Sequence, residues 1–246
     1  MLSRFSQVLF LDGDNVPIKD PTLLFSSPAF LQTGALFWKD FWKTHPSNPI
    51  WDILNIDCVD EHEQESGQLL INKSLPGVLE SLSVALYMQT HSSLYFKLVL
   101  GDKDTFRLAF RKQKQPFHLV EPYLSPIGFK NSQGVFKGHT MLQYMPWDQT
   151  TTSQPIPIFL HSNLIKYTGL SNDHDVFTHV QRYKDKPVLW NGQAVYDGST
   201  TSTRIESVNG GQVETVEISL VLNNTDLGYS MDHFEKEYRS LHKKFA

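Results

Sequence analysis

Two carboxylates one residue apart form the strongest chemical signal in the sequence. Asp12-Gly13-Asp14 follows the apolar residues 8–11, which are typical of a buried parallel strand that presents acids at its C-terminal edge. Carboxylate oxygens are hard ligands, and Mg²⁺ or Mn²⁺ held by them keeps coordination positions open for phosphate oxygens. Gly13 permits a tight backbone and the close approach of a ligand. The motif therefore predicts a divalent-cation site, although turns and helix caps use the same residue types.

Two reactions use such an element. One is sugar transfer from a nucleotide sugar, in which the metal bridges the diphosphate and stabilises the leaving group. The other is phosphoryl transfer to aspartate, because Asp12-Gly13-Asp14-Asn15-Val16 matches the motif of haloacid dehalogenase-like phosphatases, with Asp12 as the nucleophile. Gly101-Asp102, after Lys97-Leu98-Val99-Leu100, imitates the terminal acidic motif of those enzymes, but the chain lacks a convincing cap pattern. A noncatalytic carbohydrate-binding chain is a third interpretation.

Four further segments decide between these alternatives by their order along the chain. They are Gly34-Ala35-Leu36-Phe37-Trp38, Glu65-Ser66-Gly67-Gln68, Gly101-Asp102-Lys103-Asp104-Thr105-Phe106 and Phe159-Leu160-His161-Ser162-Asn163-Leu164-Ile165-Lys166. Together with the Asp motif, they make residues 8–169 resemble the fungal Golgi α-mannosyltransferase family, which extends mannan side chains with α-1,2- or α-1,3-linked mannose.

The resemblance implies an α/β protein with a type A glycosyltransferase (GT-A, Rossmann-like) fold. It also implies a GDP-mannose donor, a mannose-containing glycan acceptor, a retaining outcome and Mn²⁺ as cofactor, with Mg²⁺ less expected. Family members are single-pass membrane proteins that face the Golgi lumen. They carry an anchor, a stem and the first nucleotide-binding strands before the Asp-x-Asp strand, whereas only about seven residues precede that strand here. We therefore expect an N-terminally truncated chain in which the nucleotide-binding strands and the anchor are missing.

The metal roles that fit this resemblance fall on three residues. Asp12 and Asp14 would bind the cation, Asp14 more directly. His161 ends an apolar strand and offers a neutral imidazole as the third ligand, a ligand type compatible with Mn²⁺. Lys166 follows five residues later, and its ammonium would neutralise the β-phosphate as it leaves, unless it is a solvated surface lysine.

The sugar-binding roles fall on a second group of residues. Gly67 and Gln68 would lie under the donor sugar, with Gly67 allowing the backbone to approach the hexose. Glu65 would hydrogen-bond the sugar or face the anomeric carbon, although residues 60–65 also read as a solvated acidic loop. Asp102 would accept sugar hydroxyls at the start of a helix, and Asp104 is expected to be the N-cap of that helix. Retention would use Glu65 or Asp102 as the nucleophile, or a front-face attack.

Aromatic residues suggest where an acceptor sugar would bind. Trp38, Trp42 and Trp51 could form a stacking platform for carbohydrate, although such side chains are more often part of a core. Asn72-Lys73-Ser74 and Asn223-Asn224-Thr225 match the N-glycosylation acceptor triplet, which matters only if the chain enters the secretory pathway.

The composition supports a globular chain. Its 246 residues contain 40% hydrophobic and 20% charged residues, and 22 Lys and Arg against 26 Asp and Glu. This balance gives no broad basic field, so nucleic acid is not an expected partner. No segment reaches about 18 uninterrupted apolar residues, and the single Cys58 cannot form an intrachain disulfide. We expect one catalytic domain over residues 1–246, with a metal and donor part at 1–170 and an acceptor-side part at 171–246.

Interleaved strands and helices predict the α/β architecture that must position these residues. The expected strands are the following: residues 7–12, 35–38, 66–71, 97–100, 156–160 and 213–222. The expected helices are the following: residues 20–25, 49–54, 75–88, 104–114 and 231–245. The helix at 75–88 is amphipathic, with Leu75, Val78, Leu79, Leu82 and Leu86 on its apolar face. A polar loop is expected at residues 149–154.

Overall fold

The computed structural model describes residues 3–146, 155–164, 176–183 and 213–218, together with Leu222 and Ser240. Four predicted features lie outside or almost wholly outside these described residues: Lys166, the loop at 149–154, the Asn223 triplet and the terminal helix from Met231. Because most of the chain after residue 170 lies outside them, the predicted division into donor and acceptor parts stays a prediction.

The protein is a mixed α/β chain that divides into two compact units. Of the described residues, the first unit contains 3–12 and 22–121, and the second contains 13–21, 122–146, 155–164 and 176–183 together with the strand at Val213–Glu217. Each unit has its own sheet and its own apolar core. No helix among the described residues combines the length and hydrophobicity needed to cross a bilayer.

The first unit is built on a four-stranded sheet flanked by helices. Its strands, in spatial order, are β1 (Gln7–Leu11), β4 (His62–Asn72), β3 (Ala35–Lys43) and β5 (His118–Leu119). Its helices are a 3₁₀ helix (Pro21–Ser26), α1 (Pro28–Thr33), α2 (Ile50–Leu54), α3 (Val78–Thr90), α4 (Ser92–Tyr95) and α5 (Lys103–Lys112). The side chains of Phe37, Leu69, Val78, Leu82 and Phe110 join the sheet to α3 and α5 in one core cluster.

The second unit is built on a six-stranded sheet. Its strands are β2 (Asn15–Pro17), β6 (Ser125–Lys130), β7 (Phe136–Tyr144), β8 (Pro157–His161), β9 (His179–Tyr183) and β10 (Val213–Glu217), in the spatial order β10-β9-β6-β7-β8-β2. The apolar residues 158–160 of β8 are fully buried, and Leu160 packs with Ile127, Leu142 and Val180. β8 therefore passes through the core before it ends at His161.

The strand that precedes Asp12 differs from the prediction in two respects. β1 runs antiparallel to β4, whereas a parallel strand was expected. It lies at the edge of its sheet and is only half-buried, with Phe10 48% exposed. An edge strand exposes part of its length to solvent, so an apolar sequence run does not by itself indicate a strand buried on both faces. Among the described strand pairs, only the short one between β3 and β5 is parallel.

The predicted strands at 35–38 and 66–71 are confirmed, but both are longer than expected. β3 continues through Asp40 to Lys43, and β4 begins at His62, inside the acidic run. The predicted strand at 97–100 is absent, because these described residues form turns and Leu100 is 74% exposed. Hydrophobicity alone cannot separate a strand from a short apolar turn segment.

The helix predicted at 75–88 forms, but its ends and its buried face differ. It starts at Val78 because Gly77 precedes it with φ 83°, a left-handed conformation that only glycine adopts readily. Val78, Leu82, Ala85 and Met88 face the interior, whereas Leu79 and Leu86 are about half exposed. The short helix at Ile50–Leu54 is confirmed.

Candidate metal centre and buried ionic network

Asp14 and His161 meet because β2 and β8 are antiparallel neighbours. Asn15 pairs with His161 in this ladder, and the backbone N–H of Ser162 donates to the carbonyl oxygen of Asp14 at 2.9 Å. This register brings His161 Nε2 to 3.3 Å from Asp14 Oδ1. Both side chains are largely buried, with 5% and 13% exposed. The predicted proximity of these two residues is therefore present, while cation binding itself stays a prediction.

Asp12 is held on the same turn by a different backbone contact. Its N–H donates to the carbonyl oxygen of Gly67 at 2.9 Å, which continues the pairing of β1 with β4 beyond Leu11. One ligand atom from each of Asp12, Asp14 and His161 lies within 4.8 Å of the others. Two ligands on opposite sides of an ion bound at about 2.0–2.1 Å lie about 4 Å apart. Small side-chain rotations would therefore bring all three atoms onto one divalent cation.

The neighbouring strand β7 fixes the end of β8 from its other side. Met141 pairs with His161 across this ladder. The Thr140 hydroxyl donates to the Ser162 hydroxyl at 3.3 Å, and the backbone N–H of Leu164 donates to the carbonyl oxygen of His139. The chain around His161 is therefore hydrogen-bonded to β2 and to β7. A ligand held on both sides of its backbone needs little reorganisation to bind an ion.

The predicted donor segment lies on β4, and its side chains are mostly buried. Glu65 is 7% exposed, and its carboxylate accepts the backbone N–H of Gly67 at 2.9 Å. The pairing of β3 with β4 shifts register between Phe37 and Trp38, where Trp38 lies opposite Glu65. Gln68 is fully buried. The shift in register falls beside residues 66–68 of β4, and Gly67 in this stretch accepts the backbone N–H of Asp12.

Apart from Asp60, whose side chain is 72% exposed, the acidic run at 60–65 is not the solvated loop that its composition suggests. Lys103 Nζ lies 2.5 Å from Glu63, 2.8 Å from Asp40 and 3.0 Å from Asp104. This ammonium therefore joins β3, β4 and the first turn of α5. Arg111 also pairs with Glu61. We call the set of Asp40, Glu61, Glu63, Lys103, Asp104, Arg107 and Arg111 the ionic network of the first unit.

Arg107 and Asp104 form the second half of this ionic network, and both are fully buried. Arg107 donates to Asp104 Oδ1, to Glu61 Oε1 at 2.8 Å and to the Thr44 hydroxyl at 3.0 Å. Asp104 also accepts the backbone N–H of Gln64 at 3.0 Å. Burial alone would raise the pKa of Asp104, but Lys103 and Arg107 lower it below its usual value. Pairing and hydrogen bonding are what permit such buried charges.

Asp104 was predicted as the N-cap of its helix, and this is wrong. Asp102 occupies the cap position without a side-chain cap bond, and Asp104 lies inside the first turn. Asp102 is exposed and is not part of the Asp12, Asp14 and His161 cluster. It also follows a turn rather than an apolar strand. Two features that favoured the phosphatase interpretation are therefore absent from the described residues. No strand precedes Asp102, and the strand before Asp12 is an antiparallel edge strand rather than a buried parallel one.

Sequence reasoning missed Asp40, a carboxylate in the middle of the buried strand β3. Burial, with the charges of Glu65 and Glu63, raises the pKa of Asp40 to about 6, although Lys103 acts in the opposite direction. Its Oδ1 atom also accepts the backbone N–H of Phe41 at 2.6 Å. The signal was present in the sequence, because the charged pair Lys39-Asp40 lies between Trp38 and Phe41 in a strand, and buried charges need partners.

The predicted tryptophan platform is wrong for two of its three members. Trp38 is fully buried in the first unit, and Trp51 is 4% exposed and donates its indole N–H to the His45 carbonyl oxygen at 3.0 Å. Neither ring can stack on a sugar without unpacking the core. Trp42, at 46% exposed, is the one with a free ring surface. Large aromatic side chains supply core packing more often than ligand contacts.

A pH-dependent prediction concerns His62, on β4, which is not a member of the ionic network. Burial, with the charges of Lys39 and Lys43, lowers the pKa of His62 from 6.5 to about 4. The unfolded chain therefore binds this proton more tightly, so the stability contributed by His62 is lost as pH falls from about 6.5 towards 4. We expect His62→Gln to remove up to about 3 kcal/mol of the stability loss between pH 7 and pH 4. Urea unfolding at pH 7 and at pH 4 measures this change in the free energy of unfolding.

The exposed His91 provides the matched control for this titration. His91→Gln tests the effect of removing a histidine from an exposed position of the same unit. Parallel curves for His62→Gln and the unmodified chain would contradict the assignment of a low pKa to His62.

A comparison with known proteins identifies the family to which the chain belongs. The mannosyltransferase family model matches residues 1–60 and 55–145, which is more than half of the chain. The chain belongs to this mannosyltransferase family. The prediction made from the four segments and the Asp motif is therefore confirmed at the level of the family.

Three similar fungal proteins show how much of a longer protein the chain covers. It is 26% identical to alpha-1,2-mannosyltransferase MNN23 of Candida albicans over 59% of this chain and 32% of the relative. It is 29% identical to alpha-1,2-mannosyltransferase MNN21 of the same organism, over 59% of this chain and 29% of that relative. It is 26% identical to alpha-1,2-mannosyltransferase MNN5 of Saccharomyces cerevisiae over 58% and 34%. The chain thus spans about a third of the length of these relatives.

Proposed function

We propose that the chain carries the metal and donor part of a retaining mannosyltransferase. In this proposal, mannose passes from GDP-mannose to a hydroxyl of a mannose-containing glycan on mannan or glycoprotein. Membership in the mannosyltransferase family supports the type of reaction. The observation that supports metal dependence is the convergence of Asp12, Asp14 and His161 within 4.8 Å.

The donor set fits a divalent cation and favours Mn²⁺ over Mg²⁺. Two carboxylates and one imidazole supply hard oxygen and borderline nitrogen ligands, and imidazole is less expected on Mg²⁺. When bound, such a cation supplies charge stabilisation to a departing diphosphate. Asp12 and Asp14 would hold it from the turn after β1, and His161 would hold it from the end of β8. Lys166, outside the described residues, would add a second positive charge at the β-phosphate.

Glu65 is the better of the two predicted carboxylates for the reaction centre. It lies on β4, two residues before the Gly67 carbonyl that accepts the Asp12 N–H. This contact connects the Glu65 segment to the Asp motif through one backbone hydrogen bond. Asp102 is exposed on a turn and has no comparable connection among the described residues. We propose that Glu65 positions the donor sugar or attacks its anomeric carbon, while a front-face mechanism would leave it the positioning role alone.

The fold and the compartment complete the proposal. The mixed α/β architecture supports the α/β class, and we propose the type A glycosyltransferase arrangement within it. The fungal mannosyltransferase relatives support a compartment of the secretory pathway, and we propose the luminal side of the Golgi membrane.

The proposal predicts cation-dependent mannosyl transfer by the full chain. With GDP-mannose and a mannose oligosaccharide, we expect product only with Mn²⁺, with a weaker response to Mg²⁺ and loss of activity on chelation with EDTA. The anomeric configuration of the new bond, measured by ¹H NMR, should match that of the donor. Binding of GDP to the chain, measured by calorimetry, should be tighter with Mn²⁺ than without it.

Three results would separate this proposal from its alternatives. Phosphate release from a phosphomonoester that depends on Asp12 would support the phosphatase. Mannan binding with neither sugar transfer nor cation-dependent GDP binding would support the noncatalytic carbohydrate-binding chain. Transfer at full rate in EDTA would contradict the metal site while leaving the mannosyl transfer intact.

A further inference from the structure

A second chemically distinctive surface lies at the far end of β4. Asn72-Lys73-Ser74 matches the Asn-x-Ser acceptor triplet for N-linked glycans, with a residue other than proline in the middle. Asn72 is the last residue of β4 and is partly exposed, and Ser74 is exposed in the following turn. An acceptor asparagine must be reachable from solvent in the folded protein to carry a glycan. This triplet meets that condition.

The hydrogen bonds of the triplet leave the reacting atom available. Asn72 Oδ1 accepts the Ser74 hydroxyl at 2.6 Å and the Ser74 backbone N–H at 3.1 Å. Both contacts use the amide oxygen, and Asn72 Nδ2 has no hydrogen-bond partner among the described residues. The hydroxyl of the third residue is thus already bonded to the acceptor amide.

The main chain around the triplet is anchored, so a glycan there would not need to displace structure. The Asn72 N–H donates to the Gly34 carbonyl oxygen at 2.7 Å, and the Lys73 N–H donates to the Ser6 carbonyl oxygen at 2.7 Å. Five residues separate Asn72 from Gly67, which is about 17 Å along an extended strand. A glycan on Asn72 would therefore begin at the opposite end of the β1–β4 ladder from Asp12.

We infer that Asn72 is an N-glycosylation site of this chain. The inference rests on the proposed luminal placement. The donor class is a lipid-linked oligosaccharide diphosphate, and the transfer is performed by the host oligosaccharyltransferase. A bond forms between Asn72 Nδ2 and the anomeric carbon as the bond from that carbon to the diphosphate oxygen breaks. The amide proton passes to a base of the transferase, and the lipid diphosphate leaves.

The test expresses the full chain behind a cleavable leader in a eukaryotic host. An Asn223→Gln background removes the second triplet from the measurement. In that background, Asn72 should carry a glycan that a peptide N-glycosidase removes with a mobility shift, and this hydrolysis of the glycosylated amide should convert Asn72 to aspartate in the peptide mass spectrum. Asn72→Gln and Ser74→Ala should both lose the shift, whereas Ser74→Thr should retain it.

Each outcome bears directly on the inference. An unmodified Asn72 peptide in both the parent and Ser74→Thr would overturn it, as would a glycosidase-sensitive shift that survives in Asn72→Gln. Secretion and protease resistance of each variant establish that it folds. Mannosyl transfer is assayed on the same material. A glycan on Asn72 without transfer would count against the proposed function alone, and transfer without a glycan would count against Asn72 alone.

Discussion

Asp14→Ala should lower Mn²⁺-dependent mannosyl transfer by at least about 10²–10³-fold, the range seen when one group that stabilises transition-state charge is removed. Asp14 lies 3.3 Å from His161 Nε2, and its carbonyl oxygen accepts the Ser162 N–H. Alanine removes the ligand oxygen but keeps this backbone contact. The loss should therefore come from the cation and not from the fold. Initial rates under saturating GDP-mannose measure it.

Direct cation binding makes this prediction independent of turnover. Electron paramagnetic resonance of free Mn²⁺ should show weakened binding in Asp14→Ala and in His161→Ala. If both residues hold one ion, the double variant should lose little more activity than either single variant, because groups that act as a unit are not additive. Asp57→Ala, at an exposed acid elsewhere in the first unit, is the matched control. Unchanged Mn²⁺ affinity in both single variants would contradict the proposed metal site.

Lys103→Met should destabilise the chain by about 3–5 kcal/mol, the cost of breaking a buried ion pair by removing one partner. Lys103 contacts three carboxylates, Asp40, Glu63 and Asp104. Methionine retains much of the side-chain volume but leaves these acids without their shared ammonium. Urea unfolding at pH 7.5 measures the loss. Lys112→Met, at an exposed lysine on the same helix, should change the unfolding free energy by less than about 0.5 kcal/mol.

The pH dependence of this variant identifies the carboxylate responsible. The pKa of Asp40 is already raised to about 6 in the folded chain, so the folded state favours its protonated form below that pH. Removing Lys103 raises this pKa further, and the destabilisation should shrink as pH falls from 7.5 to 5. Adding Asp40→Asn to Lys103→Met should recover part of the loss at pH 7.5. A destabilisation equal to that of Lys112→Met would show that the network contributes little.

The candidate metal centre was predictable because each residue carries a local signal. Asp12 and Asp14 follow an apolar run, and His161 ends another, so strand ends could be inferred for all three. Their convergence was expected from the family resemblance rather than from the spacing. Which strands pair, and in which direction, depends on contacts distant in sequence. This is why β1 was expected to be parallel and is antiparallel.

The ionic network was not predictable from local patterns, although its residues were visible. Glu61 and Glu63 resemble part of a solvated acidic run until Lys103 and Arg107, about 40 residues later, are placed against them. A strand with charges on its inner side does not follow the usual alternation of apolar and polar residues. The predicted start of β4, at residue 66, is therefore later than its observed start at His62. Trp38 and Trp51 show the reverse case, in which residues typical of sugar binding pack in the core.

The pairing of Asn15 with His161 makes the cation site sensitive to insertions and deletions. Side chains alternate between the two faces of a strand, so sliding β8 past β2 by a single position would turn the imidazole to the other face and present Leu160 or Ser162 instead. One added codon upstream in β8 would then remove a ligand as completely as replacing the histidine. Chains that vary freely in surface loops should therefore keep the length of this short ladder fixed.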